Sequence, residues 1–448
     1  MSGLFLSSKH LQFCIYKVQQ LYFMKAKFLI PLLFTATSLF AQRDFKQLHI
    51  YFDSIEKHHT FSGSAALTKN AQLLFNREFG VLDGAKSTAV NSESKFRIGS
   101  ISKTFTAALI MKAVEEGKLK TSDKLKKYHP EIVNAKSITI EHLLRHTSGM
   151  FNYTNDSLFW QQHLEPISKE KQIEKLAHYP SDFKPGTQYS YSNSGYYILA
   201  CILEKVYNKT YDELLQEKIV VPLNLKNTYE GTTLRLENNE ALSVLYSFSN
   251  QKWINGPLTH SSHILGAGGM VSTPTELNIF MTALMNGKVV NDKSLTLMKT
   301  MKFNYGYGLL PLPYHLHVAY GHTGGIDTYS SVTGYFEDEA LAFSLTLNGY
   351  EESMNDVLIA MLAGYFGDSI KMPNPINFFP IQKDLLKSYE GTYTNAQYKL
   401  TLTVRMDEYD NTLKFKLDAQ PEIKSIPTSS TVFEVPMVSA KFTLNKGN

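Results

Sequence analysis

Strand-like segments stand at both ends of the first 370 residues of this chain, with helical segments between them. Residues 63–68 and 72–75 flank Lys69-Asn70 as the arms of a hairpin. Far downstream, 329–336 and 340–347 bracket Glu337-Asp338-Glu339 as a second hairpin. Alternation and turn chemistry of this kind mark antiparallel strands. The residues between read as helices. Phe105, Ala108, Leu109 and Val114 recur at helical spacing over 102–116, and Gly117 suits the stop. A further helix is expected over 194–206. Thr273-Pro274-Thr275-Glu276 has the residue types of a helix start: Thr273 accepts an exposed N–H, Pro274 fits the first turn and Glu276 reaches back. Phe45, Leu48, Phe52 and Ile55 place another helix over 45–57. Strands need partners, so the pattern implies a sheet assembled from the two ends around an inserted helical region, an α+β fold.

A break follows near residue 370. Met372-Pro-Asn-Pro375 and Phe378-Phe-Pro380 make 372–383 a linker. Beyond it Leu400, Leu402 and Val404 alternate with Thr401 and Thr403, and Leu413, Phe415 and Leu417 alternate with Lys414 and Lys416. Tyr398 and Lys399 extend the first series, and Phe442 and Leu444 begin a further strand. Period two means half-buried antiparallel strands. Residues 384–448 are expected to form a small β meander or partial barrel. Lys446-Gly447-Asn448 falls where a turn into another strand is expected, so the module is read as truncated.

At the other end, Lys25 and Lys27 precede an apolar run from Phe28 to Leu39, followed by Phe40-Ala41-Gln42. A basic start, a short apolar core and a small residue at the cut read as a secretory signal peptide. The run is too short to span a bilayer, which takes about 20 residues. Residues 1–41 are therefore expected to be an upstream extension and a signal peptide starting at Met24, and the protein to be exported to the periplasm or medium without a stable membrane anchor. Lys and Arg number 45 against 41 Asp and Glu, and four of those lysines fall in 1–41, which holds no acid. The remainder is balanced in charge, which gives no electrostatic case for nucleic acid or an anionic membrane. Of the two cysteines, Cys14 falls in the removed segment, leaving Cys201 as a small core residue with no internal disulfide partner.

Three short segments carry chemistry. In Gly99-Ser100-Ile101-Ser102-Lys103, which opens a helix, residues three apart share a face, so Lys103 lies beside the Ser100 hydroxyl. Serine is a weak nucleophile without an adjacent base. A desolvated lysine sheds its proton more readily than in water. In Tyr191-Ser192-Asn193, a nearby lysine ammonium is expected to lower the pKa of Tyr191, fitting it to relay the Ser100 proton to a leaving group. Asn193 offers an amide to a substrate carbonyl and to Lys103. In His322-Thr323-Gly324-Gly325, glycines at a strand edge let a substrate backbone approach. The N–H groups of Ser100 and Gly325 pair as an oxyanion hole.

Together these segments resemble the serine β-lactamase and penicillin-binding-protein superfamily, with the nearest likeness to class C β-lactamases, D-alanyl-D-alanine carboxypeptidases and related esterases. The superfamily motifs Ser-x-x-Lys, Tyr-x-Asn and Lys- or His-Thr-Gly stand here as Ser100-Ile-Ser-Lys103, Tyr191-Ser-Asn193 and His322-Thr-Gly324. Ile138-Thr-Ile-Glu-His-Leu-Leu-Arg-His-Thr-Ser-Gly149 and Gly268-Gly269-Met270-Val-Ser-Thr273 also match, and the likeness covers roughly residues 45–370. The resemblance implies an antiparallel sheet flanked by helices, an all-helical lobe, and a cleft between them in a domain spanning 42–371. It implies Ser100 as nucleophile and Lys103 and Tyr191 in proton transfer. Asn193, His322, Thr323 and Gly324 would bind substrate, and Ser100 and Gly325 would bind the oxyanion. His322 stands where most β-lactamases of this kind have a lysine. A neutral imidazole holds a substrate carboxylate less well than a fixed cation.

The expected activity is hydrolysis of an ester or amide through a Ser100 acyl-enzyme, of the esterase or D-amino-acid peptidase or carboxypeptidase type ahead of β-lactam hydrolysis. The substrate is a small molecule or short peptide of the kind the cell wall supplies, and no cofactor or metal is expected. The competing reading is a catalytically silent binding or sensor protein of the envelope. Pocket walls are expected from 151–180 and 228–262. His315-Leu-His317 lacks the rest of a metal motif, and His142 and His146 lack the zinc-protease glutamate. His146 is read as a packing and turn element. No Gly-x-Ser-x-Gly elbow, phosphate loop or dinucleotide fingerprint is present.

Overall fold

A computed structural model describes residues 45–444 apart from 232, 396, 398, 408, 419 and 421. The signal-peptide reading of 1–41, Cys14 and Tyr398 thus lie outside the described residues. Among those described, no helix is long and apolar enough to cross a membrane.

Helix Lys46–Lys57 buries Leu48, Tyr51, Phe52 and Ile55, one stripe at 3–4 spacing. The first hairpin joins strands Phe61–Lys69 and Gln72–Phe79. Its turn sits one residue later than the sequence suggests, on Asn70 and Ala71, with φ of +50° and +62°. Two successive positive φ values match the twist of the paired strands.

The main sheet has six antiparallel strands in the order Gln72–Phe79, Phe61–Lys69, Leu341–Tyr350, Tyr329–Phe336, His317–Ile326, Leu310–Tyr314. The two chain ends meet at the pairing of Phe61–Lys69 with Leu341–Tyr350, where Leu67 lies opposite Phe343. These two strands are buried on both faces, so the sheet must be covered on both. On one face Ala65, Leu67, Phe343 and Leu345 pack with helices Lys46–Lys57 and Met354–Phe366. On the other lies helix Pro274–Met285. Its Asn278 amide donates to the Ala66 carbonyl and the Thr68 hydroxyl and accepts from Ser344.

Thr273 caps that helix by accepting the Glu276 N–H at 3.2 Å. Glu276 does not reach back to complete a box. Its carboxylate instead accepts from the Asn227 N–H and the buried Thr228 hydroxyl.

The second core gathers the helices between the sheet segments around Ser102–Glu115 and Asn193–Tyr207, with Phe105, Leu109, Ile198 and Leu199 at its centre. After Met354–Phe366 the chain runs through 368–382 without helix or strand. Helix Lys383–Lys387 and six strands follow, from Gly391–Asn395 to Ala440–Thr443. Each strand pairs with its sequence neighbour, with Val404 opposite Phe415. This is an open meander whose core is Leu386, Val404, Leu413, Phe415 and Phe433.

Candidate active site

The Ser100 segment begins as the short strand Phe96–Arg97 beside Met270–Ser272. It turns through Gly99, at φ +50°, into one 3-10 turn, Gly99–Ile101, and then into helix Ser102–Glu115. A side chain is disfavoured at Gly99 by conformation and by space, since a Cβ there would lie 2.7 Å from the Gly325 nitrogen. The Ser102 hydroxyl fixes the turn by donating to the Gly99 carbonyl at 2.7 Å. Ser100 is thereby held at the head of a helix, where free N–H groups favour negative charge.

Lys103 is fully buried, and its Nζ has three partners: Ser100 Oγ at 2.9 Å, Asn193 Oδ1 at 2.7 Å and the Ala267 carbonyl at 2.6 Å. Burial drives its pKa well below that of a free lysine. Each of the three partners can accept an N–H from Nζ, and Ser100 alone can also donate its O–H to the lone pair once the amine is neutral. Asn193 is fixed in turn, its Nδ2 donating to Thr154 Oγ1 at 3.1 Å and its backbone N–H to Asn152 Oδ1 at 3.0 Å.

Tyr191 stands on the other side of the lysine, its ring centroid 4.9 Å from Nζ, with its hydroxyl bonded to Ser100. The structure reverses the expected pKa. Burial raises the Tyr191 phenol above its ordinary value, and the nearby Tyr189 raises it further. Behind Tyr191 lies His146, in a left-handed conformation at φ +56°, its ring 4.2 Å from that of Tyr191 and its Nδ1 accepting the Ser192 N–H at 3.1 Å.

The third segment lies on strand His317–Ile326. Its pairing with Leu310–Tyr314 ends at Gly321, so residues 322–326 present an open backbone edge. Thr323 and Gly325 are exposed there, while Gly324 is packed against the Ile98 carbonyl so closely that a Cβ would sit 2.1 Å from it. Ser331 Oγ donates to that same carbonyl at 2.8 Å. His322 is 1% exposed, and its pKa is pushed down to about 3 by burial. Its Nδ1–H donates to the Thr323 carbonyl at 2.5 Å, which leaves Nε2 to accept from the Tyr305 hydroxyl at 2.9 Å. The imidazole is neutral with both nitrogens occupied.

All the site residues read from the sequence therefore converge. Ser100, Tyr191, His322, Thr323, Gly324 and Gly325 line a cleft of about 340 Å³, and Lys103 and Asn193 lie beneath it. The remaining walls are Tyr189, Tyr305 and Leu310, not the loops 151–180 and 228–262. Those walls escaped the sequence reading because nothing local marks them. Tyr305 reaches the site through a segment held by Arg145, which donates to the Thr300 and Tyr305 carbonyls. The Ala267 carbonyl was missed as well, although the neighbouring Gly268-Gly269 pair was a signal of close backbone approach.

Comparison with known proteins gives the family of the chain. The Beta-lactamase family model matches residues 41–364. A protein named as a penicillin-binding protein in Bacillus subtilis (strain 168) is 28% identical over 256 residues, covering 56% of this chain and 61% of that one. The teichoic acid D-alanine hydrolase of Staphylococcus aureus (strain NCTC 8325 / PS 47) is 26% identical over 324 residues, 71% of this chain and 76% of the relative. The D-amino acid amidase of Ochrobactrum anthropi SV3 shares the fold, with a TM-score of 0.61 at 22% identity over 71% of this chain and 98% of that structure. With the family match spanning well over half of its length, the chain belongs to the beta-lactamase family, within the superfamily of serine hydrolases related to the penicillin-binding proteins.

Proposed function

We propose that this protein hydrolyses small esters or amides through a covalent Ser100 acyl-enzyme, with Lys103 as the base. The observation that carries this reading is the Lys103 amine. It is buried, its pKa is driven well below that of a free lysine, and it lies 2.9 Å from the Ser100 hydroxyl. In the proposed reaction Lys103 takes the Ser100 proton as Oγ attacks the substrate carbonyl carbon. The carbonyl oxygen becomes an oxyanion, received by the N–H groups of Ser100 and Gly325. As the tetrahedral intermediate collapses, the leaving group takes a proton from the Lys103 ammonium through the Tyr191 hydroxyl. Water then attacks the acyl-enzyme by the same route in reverse. The raised pKa of Tyr191 suits a relay and not a resting phenolate base. Asn193 orients Lys103 and offers its amide to the substrate.

The cleft lining holds no fixed cation, and His322 is neutral. A free substrate carboxylate would find no counter-charge there, which favours esters and amides over carboxypeptidase or β-lactam substrates. The likeness to a teichoic acid D-alanine hydrolase supports a D-aminoacyl ester or amide of cell-wall origin. His322 and Thr323 then act as cleft wall and backbone edge. Export to the periplasm or medium is part of the proposal and rests on the order of basic, apolar and small residues in 25–42.

The deciding experiment is the intact mass of the purified protein after exposure to a fluorophosphonate. One adduct on the wild type and none on Ser100→Ala is the expected result. An unlabelled but folded wild type would overturn the proposal, and an adduct that survives Ser100→Ala would reassign the nucleophile.

A further inference from the structure

Arg97 and Asp327 are the most deeply buried ion pair among the described residues, with side chains 1% and 0% exposed. The chemistry above uses neither. Arg97 lies three residues before Ser100, and Asp327 two residues after Gly325 in the turn between strands His317–Ile326 and Tyr329–Phe336. Their charged atoms are 3.7 Å apart. What joins them more tightly is Thr259, in a loop belonging to neither segment. The Thr259 carbonyl accepts from the Arg97 guanidinium at 2.5 Å. Its backbone N–H donates to one Asp327 oxygen at 2.9 Å, and its hydroxyl to the other at 2.6 Å. Asp327 holds a left-handed conformation, φ +51°, one that aspartate adopts more readily than most residues and that a two-residue hairpin turn uses.

This arrangement is expensive as mere packing. Burying two charges costs several kcal/mol per ion unless each is paired and hydrogen-bonded, and Arg97 Nε has no hydrogen-bond partner among the described residues. Its placement suggests a use. The two chain segments it ties together each carry one proposed oxyanion donor. On the upper side these segments already touch, backbone to backbone, at Gly99 against Gly325 and Gly324 against Ile98. A contact between glycine backbones limits how near the two walls come, but it does not stop them separating. Ser331, paired with Gly324 in the sheet, ties the Ile98 carbonyl through its Oγ at 2.8 Å, and the buried trio adds a second tie between the two segments.

We propose that Arg97, Thr259 and Asp327 form a brace that fixes the spacing of the Ser100 and Gly325 N–H groups, so that all three are positioning residues for the oxyanion hole. The proposal rests on the acyl-transfer reading above. A displacement of about 1 Å in a catalytic donor costs about 100-fold in rate. The brace should therefore act on the transition state and not on ground-state binding.

The test uses the full chain with p-nitrophenyl acetate as substrate and phenylboronic acid as a tetrahedral mimic. Asp327→Asn removes the charge and half of the acceptor capacity. The double variant Arg97→Met with Asp327→Asn removes both charges while nearly keeping volume, so that neither charge is left buried without its partner. Both should lose about 10- to 100-fold in kcat with KM within about threefold, and phenylboronic acid should weaken by a similar factor. Thr259→Val, which loses only the hydroxyl, should fall between these and the wild type. A double variant with a wild-type thermal midpoint and unchanged kcat would overturn the brace. So would a loss of fold in both Asp327 variants, which would make the trio a folding element. These results are separable from failure of the acyl-transfer reading. A folded wild type that no fluorophosphonate labels removes that reading and the brace with it, whereas a labelled wild type and an equally active double variant sink the brace alone.

Discussion

Lys103 and His322 are both buried beside Ser100, and burial lowers the pKa of each, yet the consequences differ. A neutral lysine is a base with a lone pair to offer. A neutral imidazole whose two nitrogens are engaged by Thr323 and Tyr305 has none. Lys103→Met should therefore lower kcat about 100- to 10,000-fold, the usual worth of a general base, and raising substrate should not restore it. Activity should rise with pH as Lys103 loses its proton, well below the range of a free lysine. His322 titrates near 3, so the acid limb of kcat/KM should stay in place in His322→Asn. A limb that moved with that substitution would reassign the titrating group. Glu230 makes a separate residue-scale case. It lies under the loop that carries the Ala267 carbonyl, against Gly269, and burial lifts its pKa to about 8 from an ordinary carboxyl value near 4.5. Below that ordinary value the folded and unfolded chains are both protonated and Glu230 is neutral to stability. As pH rises towards 8 the unfolded chain ionises and the folded one does not, so stability is lost across that window. Glu230→Gln should raise the thermal midpoint at pH 8 and match the wild type near pH 4. Equal midpoints at both would show that the carboxyl finds a compensating partner.

Elements whose pattern is local were legible in the sequence, and most contacts between elements were not. The stripe of Leu48, Phe52 and Ile55, the Tyr329–Phe336 hairpin and the alternation around Val404 each follow from a repeat of 3.6 or 2 residues that burial on one side imposes. Ser100 and Lys103 were readable as a pair because one helix turn sets their distance. Asn193 on Lys103 was expected from the residue types of the two segments, whereas Tyr305 on Nε2 of His322 and Thr259 between Arg97 and Asp327 span chain separations that no periodicity encodes. The sign of the Tyr191 shift failed for the same reason: it depends on how fully the phenol is buried, which packing between elements decides. Glycine illustrates the limit within one element. Gly99 and Gly117 flank the nucleophile helix, both with positive φ. A Cβ at Gly117 meets nothing within 4 Å, so Gly117→Ala should cost only the left-handed penalty, about 1–2 kcal/mol of stability, and leave kcat unchanged. Gly99→Ala carries the same penalty and also pushes against the Gly325 nitrogen, so it should lose kcat as well. Comparable activity in the two variants would argue against a close-set pair of backbone walls at Ser100.

Over the whole molecule, the C-terminal meander meets the rest of the chain through a buried charge cluster and not through apolar surface alone. Lys424 Nζ donates to the Tyr246 carbonyl at 2.7 Å and lies 3.4 Å from both Glu351 and Asp410. Asp410 accepts the Phe248 and Ser249 N–H groups, capping the turn of the hairpin Val244–Ser247 with Lys252–Asn255. Ile426 inserts beside Val244, Tyr246, Phe248 and Trp253. The same hairpin's neighbour Ser243 shares a hydrogen bond with Thr328, the residue after Asp327, so the docked meander reaches the turn that ends strand His317–Ile326. Removing one member of such a cluster leaves the others buried without a counter-charge, which costs about 3–5 kcal/mol. Lys424→Met keeps the apolar stem and deletes the charge, so it should uncouple the meander. Differential scanning calorimetry should resolve two transitions where the wild type shows one, and limited proteolysis should cut first within 368–382, the stretch without helix or strand. Labelling of Ser100 should persist, because every group in hydrogen-bond contact with Lys103 belongs to residues before that stretch. A single unshifted transition in Lys424→Met would mean that the apolar contact around Ile426 carries the docking, and the charge cluster would then be a consequence of the interface and not its cause.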